Sequence, residues 1–514
     1  MLITLTLAAL AAETFDGQTY WWGDPHSHTG ASGDGASADV GPRACAGTCG
    51  SVGEIEALAR EAGLDWLSIS DHTNGLWTAR AEDFDAVWAA ILDLDGPQHI
   101  VTVPAIEVHF KIAGGNVLGH RNAMFFGPSA DLRALTVADG QHHGDSVEVS
   151  DCAEVWEFMG GLERRFGSVL LVPHHPAVKL PMPVNWGCHD PVWEPAVEVY
   201  SEHGSALGDE TGFDPPWSGL ADHGTARFAM EQYGARLAFL AGTDWHDTHP
   251  GAVCALDSQY AAHPYGGGLT AVVLPEGVPL TRLAIREALL ARSTLATSGI
   301  PAPVSVEYHG ADGTLGGMGA ELELQAGDTL TVDVRLPEPW AERVEEVALV
   351  IPGGERDLGL ARGPGLWSIT LGPEALPAWN YVRVRIDGAS WYGEGGCVDG
   401  GEDQTEYVWT SPAWLTQAEA PLVDEDGDGV SPDEGDCDDA DPARSPLELE
   451  RCEGEVDEDC DGLVDARDPD CWGQALAPPP VEEAKGCASA PTAPVGFLLP
   501  LLLSRRRRRA GARR

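Results

Sequence analysis

The sequence predicts an α/β fold followed by a small β-domain and an acidic tail, and three observations support this. Between residues 20 and 300, helical stretches alternate with short apolar runs, which is typical of strand–helix units around a parallel sheet. Between residues 301 and 412, segments such as LTVDVRL and NYVRVRID alternate apolar and polar residues, which favours antiparallel strands. Residues 421–472 are rich in aspartate and contain several cysteines.

The composition limits the partners of the chain. A length of 514 residues with 43% hydrophobic residues predicts several domains and a substantial core. The formal net charge of −50 repels phosphate backbones and anionic lipid headgroups, so we expect no nucleic-acid partner. Divalent cations are the partners that such a surface favours. The composition leaves the oligomeric state open.

The N-terminus is interpreted as a signal peptide, residues 1–12. An apolar run from Leu2 to Leu10 ends at a small-x-small site, although no Lys or Arg precedes it, and a buried N-terminal strand is the alternative. Eleven cysteines in an exported protein indicate disulfides, and the odd number leaves at least one unpaired or modified. Cys45 and Cys49 are close enough to close a loop, with zinc binding as the alternative.

The strand–helix units follow one another along the chain. VGEIEALAREAG predicts an amphipathic helix that ends at Gly63, and DWLSIS follows as a strand. CAEVWEFMGGLERRFG with SVLLVP repeats this order, and TARFAMEQYGAR with LAFLAG repeats it again. The β-rich segment 301–412 carries no evident chemistry and is interpreted as a packing or substrate-rim module.

Residues that bind metals follow the apolar runs. In His26-Ser27-His28 and Asp244-Trp245-His246, the residues at i and i+2 lie on one face of a strand and can bind one ion. The other runs end at these residues: Asp71-His72, Glu107, His174-His175 and Ser201-Glu202-His203. In a β/α barrel the carboxyl ends of the strands meet, so we expect these side chains to form one site. Imidazoles and carboxylates suit zinc, manganese or iron.

The motifs together resemble the PHP (polymerase and histidinol phosphatase) superfamily of metal-dependent hydrolases, and above all its DUF3604 branch. GDPHSHTGASGDG, SISDHTN, VPHHPA, VEVYSEHGS, AGTDWHDTHPG and REALLARSTLATSG match in order over residues 20–300. The resemblance implies a distorted (β/α)7 PHP-type barrel that holds two or three divalent transition metals. The loop around Cys45 and Cys49 departs from many relatives, which puts the rim of the cleft in doubt.

The resemblance implies a set of metal ligands: His26, His28, Asp34, His72, Glu107, His120, His174, His203, Asp244 and His246. Glu107 would bridge two ions, and Glu107 and Asp244 would take part in catalysis. Arg121 could hold a substrate anion, with a surface salt bridge as the alternative. Glu198 or Glu202 could replace His203, and His174 is preferred to His175. His142 and His143 are interpreted as loop residues.

The acidic tail predicts calcium binding. DEDGDGVSPDEGDCDDADP and DEDCDGLVD resemble thrombospondin-type and related Asp/Cys repeats of exported bacterial proteins, and no EF-hand glutamate follows them. The expected ligands are Asp424, Asp426, Asp428, Asp436, Asp438, Asp457, Asp459, Asp461 and Asp465. The alternative is a run of carboxylates kept extended by self-repulsion.

The C-terminus predicts a linker at 473–486 and a sorting or anchor tail at 487–514. The tail combines a cysteine, an apolar run too short for a spanning helix and an arginine block, and a peripheral basic anchor is the alternative. We therefore expect a bacterial protein that is secreted or held at the cell surface or outer membrane, and that meets a membrane only through this tail.

The expected function is hydrolysis. A bridging hydroxide on the metals would attack a small phosphate ester. Two alternatives remain: a hydrolase of neutral carboxylic or carbamate esters or amides with the same site, and a non-catalytic, calcium-stabilised surface binding protein.

Overall fold

A computed structural model describes most of the chain. The described residues are 12–30, 32, 51–73, 81–94, 99–112, 116–140, 147–179, 183–209, 211–215, 219–246, 249–251, 266–325, 327–388, 405–417, 424–467 and 469–471. Several sequence predictions lie outside them: the signal peptide apart from Ala12, Asp34, the Cys45 and Cys49 loop, His142, His143, the linker 473–486 and the tail 487–514.

Helices of the first unit, including those that follow Ser51, Thr225 and Thr281, begin at a side-chain cap and bury one face. Ser51, Thr225 and Thr281 each accept a hydrogen bond from a backbone N–H in the first turn of the helix that follows. Helix α4 ends at Gly167, whose φ of 82° suits a residue without a side chain. The helices are α1 (Val52–Glu61), α2 (Ala81–Asp93), α3 (Ser129–Leu132), α4 (Cys152–Phe166), α5 (Ala226–Tyr233) and α6 (Arg282–Leu290).

The first twelve strands lie in the N-terminal three fifths of the chain. They are β1 (Glu13–Phe15), β2 (Gln18–Asp24), β3 (Trp66–Ile69), β4 (Val101–Ile112), β5 (Asn116–Phe125), β6 (Val147–Val149), β7 (Val169–Pro173), β8 (Ala196–Ser201), β9 (Gly204–Ser205), β10 (Ala238–Ala241), β11 (Leu269–Pro275) and β12 (Thr294–Thr297). Their short apolar sequences are mostly buried, as in sheets that are covered on both faces.

The later strands follow residue 300. They are β13 (Ser305–Gly310), β14 (Gly313–Gly317), β15 (Glu321–Leu324), β16 (Leu330–Arg335), β17 (Val344–Ile351), β18 (Gly354–Asp357), β19 (Leu366–Leu371), β20 (Trp379–Asp387), β21 (Thr405–Thr410) and β22 (Ala413–Gln417). Among the described residues, the strands form sheets of 15, four and three strands.

The prediction of a distorted (β/α)7 barrel is wrong. Strand residues outnumber helical ones in the described chain, and most neighbouring strands run antiparallel. Strand β4 returns directly into antiparallel β5, and β11 pairs antiparallel with both β2 and β12. Strand β12 then pairs with β21, so the large sheet continues into the strands after residue 300 instead of closing. Short apolar runs do not reveal strand direction, which explains the error.

Parallel pairing is kept in the strands that precede the predicted metal ligands. Strands β2, β3 and β4 are parallel neighbours. Strand β7 is antiparallel to β5, and β5 is antiparallel to β4, so β7 runs in the same direction as β4. Strands β8 and β10 are parallel in the three-stranded sheet. The carboxyl ends of these strands can therefore meet without a closed barrel.

The main core lies between the large sheet and helices α1, α2 and α4. Ile55, Trp88 and Met159 on the helices pack in one cluster with Val108 and Phe125 on the sheet. These side chains are at most 3% exposed. Their burial supplies the hydrophobic free energy that fixes the strand ends in place.

The chain folds into two compact units, Met1–Ala420 and Pro421–Arg514. In the first unit a disulfide joins Cys152 to Cys188. In the second unit, disulfides join Cys437 to Cys460 and Cys452 to Cys471, which confirms the prediction of disulfides in the acidic tail. None of the described helices is both long and apolar enough to span a membrane.

Candidate metal centre

Imidazoles surround both oxygens of Glu107 on strand β4. Its Oε1 atom lies 2.7 Å from His120 Nδ1 and 3.1 Å from His174 Nε2. Its Oε2 atom lies 3.1 Å from His72 Nδ1, 3.5 Å from His28 Nε2 and 3.7 Å from His26 Nε2. The carboxylate therefore separates the imidazoles into two groups, one at each oxygen.

Asp244 closes the site from the three-stranded sheet. Its Oδ1 atom lies 3.2 Å from Nε2 of both His26 and His28, and 3.6 Å from His246 Nε2. Its Oδ2 atom lies 2.9 Å from His203 Nε2. Asp244 has a φ of 56°, an unusual value for a residue other than glycine, and such strain is often kept at functional sites.

Hydrogen bonds behind His26 and His28 turn their Nε2 atoms towards each other. Glu198 Oε2 lies 3.1 Å from His26 Nδ1, and Ser32 Oγ lies 3.0 Å from His28 Nδ1. The two Nε2 atoms are 3.2 Å apart. When a carboxylate accepts a proton from Nδ1, the imidazole presents the lone pair of Nε2, as metal-binding histidines do.

Two buried aspartates hold the loops that carry these histidines. Asp71 accepts hydrogen bonds from the Thr29 backbone and from the hydroxyls of Thr29 and Ser32. Asp24 accepts from the backbone N–H groups of His26 and Thr243. Burial raises the pKa of Asp24 to about 6, although its hydrogen bonds with Thr243 and His26 oppose this rise.

Gly242 allows the two sheets to approach. A Cβ atom at this position would lie 2.8 Å from Glu198 Oε2 and 2.9 Å from the His26 Cβ. Both distances are shorter than non-bonded carbon contacts allow, so a larger residue would displace the pair. The parallel bridge between Ser27 and Trp245 fixes the same approach from the backbone.

The electrostatics of the site keep its carboxylates ionised. Burial opposes the charged form of Glu107, but His72 and His174 outweigh it and hold the pKa of Glu107 well below its usual range. Burial is likewise outweighed at Asp244, where His26 lowers the pKa. Burial, assisted by His246, lowers the pKa of His28 to about 3. Anionic carboxylates and a neutral imidazole are the forms that bind cations.

The donor set fits divalent transition metals. Both oxygens of Glu107 and both ring nitrogens of His174 are buried, and none of them has a hydrogen-bond partner among the residues that the structure describes. Buried polar atoms without partners are costly, and a cation between them would satisfy several at once. Imidazoles and carboxylates without thiolates suit zinc, manganese or iron. Glu107 is placed to bridge two such ions.

The structure brings together most of the predicted ligands. His26, His28, His72, Glu107, His120, His174, His203, Asp244 and His246 all contribute to this cluster. Among the alternatives, His175 lies edge-on to His174 with ring centroids 4.1 Å apart, and Glu198 lies behind His26. Glu202 is buried at the end of β8.

Arg121 is not placed at this cluster. It follows His120 on strand β5 and therefore faces the other side of the sheet. There it is 1% exposed, pairs with the buried Glu194 and lies over the Phe110 ring. Burial opposes the charged form of Glu194, but Arg121 outweighs it and lowers the pKa of that carboxyl. The guanidinium thus serves a buried ion pair in this structure.

The sequence analysis overlooked His109 and assigned Glu198 a different position in the site. His109 stands two residues after Glu107 on β4, and its ring centroid lies 4.4 Å from that of His120. The i, i+2 spacing from Glu107 was the available signal. Glu198 was considered only as a substitute for His203, whereas it contacts His26. This contact depends on the approach of the His26 segment to the three-stranded sheet, which the sequence does not show.

The second unit folds its aspartates into two short loops. In the first, Asp424 accepts from the N–H groups of Gly427 and Gly429, and Asp428 accepts from Val430. In the second, Asp457 accepts from Gly462. Within the described part of this unit, five aspartates each have one buried oxygen without a hydrogen-bond partner: Asp426, Asp428, Asp436, Asp457 and Asp465.

The remaining predicted calcium ligands differ in their partners. Asp459 and Asp461 accept from backbone N–H groups in the second loop. Asp438 forms an ion pair with Arg444. Asp424, Asp426 and Asp428 bring three carboxylate oxygens within 4.8 Å of one another, which is close enough for one cation.

Comparison with known proteins concerns the second unit. The family model Cu-binding_MopE, described as a metal-binding motif, matches residues 436–466. No curated protein and no solved structure matches the chain. The resemblance of residues 20–300 to PHP-superfamily hydrolases therefore stays a hypothesis. The match spans Asp436, Cys437 and the loop from Asp457 to Asp465, so the second unit carries a metal-binding motif that is held by disulfides.

Proposed function

We propose that this chain is a metal-dependent hydrolase that acts on small phosphate esters. The position of Glu107 carries this proposal, because each of its oxygens faces a separate group of imidazoles. This arrangement can hold two cations on either side of one carboxylate. The resemblance of the His26, His174 and Asp244 motifs to PHP-superfamily hydrolases supports the same function.

Divalent ions bound there would polarise the substrate and lower the pKa of a water molecule. The residues of the chain itself orient the metal ligands. Glu198 and Ser32 set the ring orientations of His26 and His28. The site residues His26, His28 and Glu107 are at most 1% exposed, so bulk water competes weakly for the reacting groups. The net charge of −50 disfavours large polyanions, which supports a small substrate.

Elemental analysis and an ester screen test this function. The full-length protein should contain zinc, manganese or iron, and it should hydrolyse p-nitrophenyl phosphate. The double variant His26→Ala/His28→Ala should lose metal and at least about a hundredfold of turnover, because two ligands are removed. His309→Ala, in the four-stranded sheet, is the matched control and should retain both properties.

The screen also separates the alternatives. Faster turnover of p-nitrophenyl acetate than of the phosphate ester would favour a hydrolase of neutral esters. A protein without transition metal, and without hydrolysis after zinc or manganese is added, would overturn the proposal and favour a binding protein.

We also propose that the aspartate loops of the second unit bind calcium. Carboxylate oxygens and tight glycine turns are the ligands and geometry that calcium prefers. Asp426, Asp428 and Asp436 each have a buried oxygen that no described residue hydrogen-bonds, which supports one calcium position, and the same holds for Asp457 and Asp465 at a second.

An exported location is part of the same proposal. The described chain contains disulfides in both units, at Cys152, Cys437 and Cys452. Such bonds persist in oxidising compartments, including the bacterial periplasm and the cell exterior.

A further inference from the structure

A groove lies at the amino ends of β8 and β10, whereas the metal centre lies at the carboxyl ends of these strands. Pro195 directly precedes β8, and Arg236 stands two residues before β10. The cavity measures about 480 Å³, a size that accepts a small organic molecule. Strand β8 has six residues and spans about 20 Å, so the groove is separate from the metal centre. We call it the β8 groove, and its lining includes Trp186, His189, Tyr233, Arg236, Arg292 and Glu321.

Part of the β8 groove is apolar. Trp186 is 2% exposed, and its Nε1 atom donates to the Gly224 carbonyl at 2.8 Å. The polar atom of this indole is therefore satisfied, and the ring offers the groove only apolar surface. Leu290 and Pro191 extend this surface, and Tyr233 stands half exposed beside it. Such a wall favours a ligand with an apolar body.

Two guanidinium groups in the β8 groove share a single carboxylate. Arg236 Nη1 lies 2.6 Å from Glu321 Oε2, and Arg292 Nη2 lies 3.0 Å from Glu321 Oε1. One carboxylate cannot balance two guanidiniums, so the group keeps one positive charge. Burial lowers the pKa of Arg292, the attraction of Glu321 opposes this, and repulsion from Arg236 adds to it. A second anion at this position would relieve that repulsion.

His189 adds a hydrogen-bond acceptor to the β8 groove. Its Nδ1 atom lies 3.2 Å from Oε2 of Glu194, the carboxylate that also pairs with Arg121. An ionised carboxylate only accepts, so Nδ1 carries a proton, and in a singly protonated ring Nε2 keeps its lone pair. This Nε2 atom is buried and has no hydrogen-bond partner among the described residues. An O–H group of a bound ligand would satisfy it.

We propose that the β8 groove binds an organic acid that combines an apolar body with a hydroxyl group. The carboxylate pairs with Arg236 and Arg292, the hydroxyl donates to His189 Nε2, and the apolar body packs against Trp186. The proposal does not depend on the hydrolase function, because none of the described residues that line the groove belongs to the metal centre.

Calorimetry on the full-length protein tests this site with three related probes. The first is para-hydroxyphenylpropionate, which carries a carboxylate, an aromatic body and a hydroxyl group. Phenylpropionate lacks the hydroxyl, and the amide of the first probe lacks the charge. Each of these two should bind about tenfold more weakly than the first, the loss expected for one hydrogen bond or one charged contact.

Two variants assign the contacts. His189→Asn keeps an N–H donor for Glu194 but lacks the second nitrogen, so it should bind the hydroxylated acid about tenfold more weakly and phenylpropionate as the wild type does. Arg236→Met, at a half-exposed position, should weaken binding of the acid about three- to tenfold and leave binding of the amide unchanged. Arg356→Met removes one charge from the exposed strand β18 and should change neither affinity.

A gain of affinity provides a measurement that misfolding cannot imitate. Glu321→Gln leaves both guanidiniums to the ligand and should strengthen binding of the acid about threefold. The double variant His26→Ala/His28→Ala should bind the acid as the wild type does. Loss of binding in this double variant would place the probe at the metal centre and overturn the proposal. Wild-type affinity in both His189→Asn and Arg236→Met, or no binding of the hydroxylated acid at millimolar concentration, would also overturn it.

Discussion

Glu198 determines which nitrogen of His26 faces the metal centre. Its Oε2 atom lies 3.1 Å from His26 Nδ1, and both residues are at most 1% exposed. A carboxylate in this position makes Nε2 the free nitrogen and increases its basicity. Glu198 is therefore a positioning residue in this site.

Replacing Glu198 should weaken metal binding without unfolding the chain. We expect Glu198→Ala to lower metal affinity about 10- to 100-fold, the usual cost of losing a carboxylate behind a metal-binding histidine. Glu198→Gln keeps an oxygen acceptor for His26 Nδ1 and should lose less. Chelator competition measures the affinity, and exposed Glu276→Ala is the control. Equal affinities in Glu198→Ala and the control would contradict this role.

Asp65, which directly precedes β3, gives the first unit a pH dependence of its stability. Its Oδ2 atom accepts from the Trp22 backbone N–H at 2.9 Å. Burial raises the pKa of Asp65 from 3.8 to about 7, against the effect of that hydrogen bond. Between these values the folded chain keeps the proton while the unfolded chain releases it. The contribution of Asp65 to stability therefore falls as the pH rises from about 4 to 7.

Asp65→Asn should remove this part of the pH dependence, because the amide keeps an acceptor for Trp22 and cannot ionise. Urea unfolding at pH 5 and pH 8 should show a smaller loss of stability in the variant than in the wild type. Asp312→Asn, on an exposed turn, should behave like the wild type. Parallel pH profiles for wild type and Asp65→Asn would refute this assignment.

At the scale of elements, the disulfide between Cys152 and Cys188 joins the start of α4 to a segment that precedes Glu194. The two cysteines are 36 residues apart, and Glu194 is the partner of Arg121 on β5. In the loop-entropy description, a cross-link of this length stabilises the folded chain by about 4 kcal/mol.

Removal of this disulfide should reduce stability measurably. Cys152→Ser/Cys188→Ser should lower the free energy of unfolding of the first unit by about 2–5 kcal/mol. Denaturant titration measures the change, and the second unit, with its own disulfides, supplies an internal reference. An unchanged midpoint would show that other contacts hold the segment from Trp186 to Glu194 equally well.

The sequence predicted local elements better than their pairing. Helices α1, α4 and α5 lie within the helical stretches that the sequence predicted, and α1 ends just before Gly63. The return from β4 to β5 was not predicted, because an apolar run has the same pattern in parallel and antiparallel sheets. Long-range pairing of this kind depends on the whole fold.

The candidate site was predictable because it requires only that the strands preceding its residues run in the same direction. It does not require the sheet to close into a barrel. His72 and His174 follow strands that run the same way, so their ends meet whether or not the sheet closes. Positions set by tertiary contact were not predictable. These include Glu198 behind His26, and Arg121 turned away from His120.

At the scale of the whole molecule, we expect the acidic second unit to need bound cations for its charge balance. Its loops place Asp424, Asp426 and Asp428 within 4.8 Å of one another, and like charges at such distances repel. Bound calcium would offset this repulsion. At a concentration about 100 times the dissociation constant, it would stabilise the unit by about 2.7 kcal/mol.

Calcium removal should therefore expose the second unit to proteases. We expect chelator-treated full-length protein to be cleaved within residues 424–471, and added calcium to protect it, as followed by mass spectrometry. Asp426→Asn/Asp428→Asn should need more calcium for protection. Glu448→Gln/Glu453→Gln removes the same charge from exposed positions and should not. Equal protection with and without calcium would contradict the assignment.

The pairing of Leu295, Ala296 and Thr297 with Val408, Trp409 and Thr410 has a practical consequence for dissecting the protein. A fragment that stops at residue 300, chosen to isolate the part with the candidate metal centre, would leave β12 as an edge strand with unpaired backbone donors and acceptors. Such edges recruit strands from other molecules. Self-association of that fragment would then result from the loss of β21. It would give no information about the oligomeric state of the full-length protein.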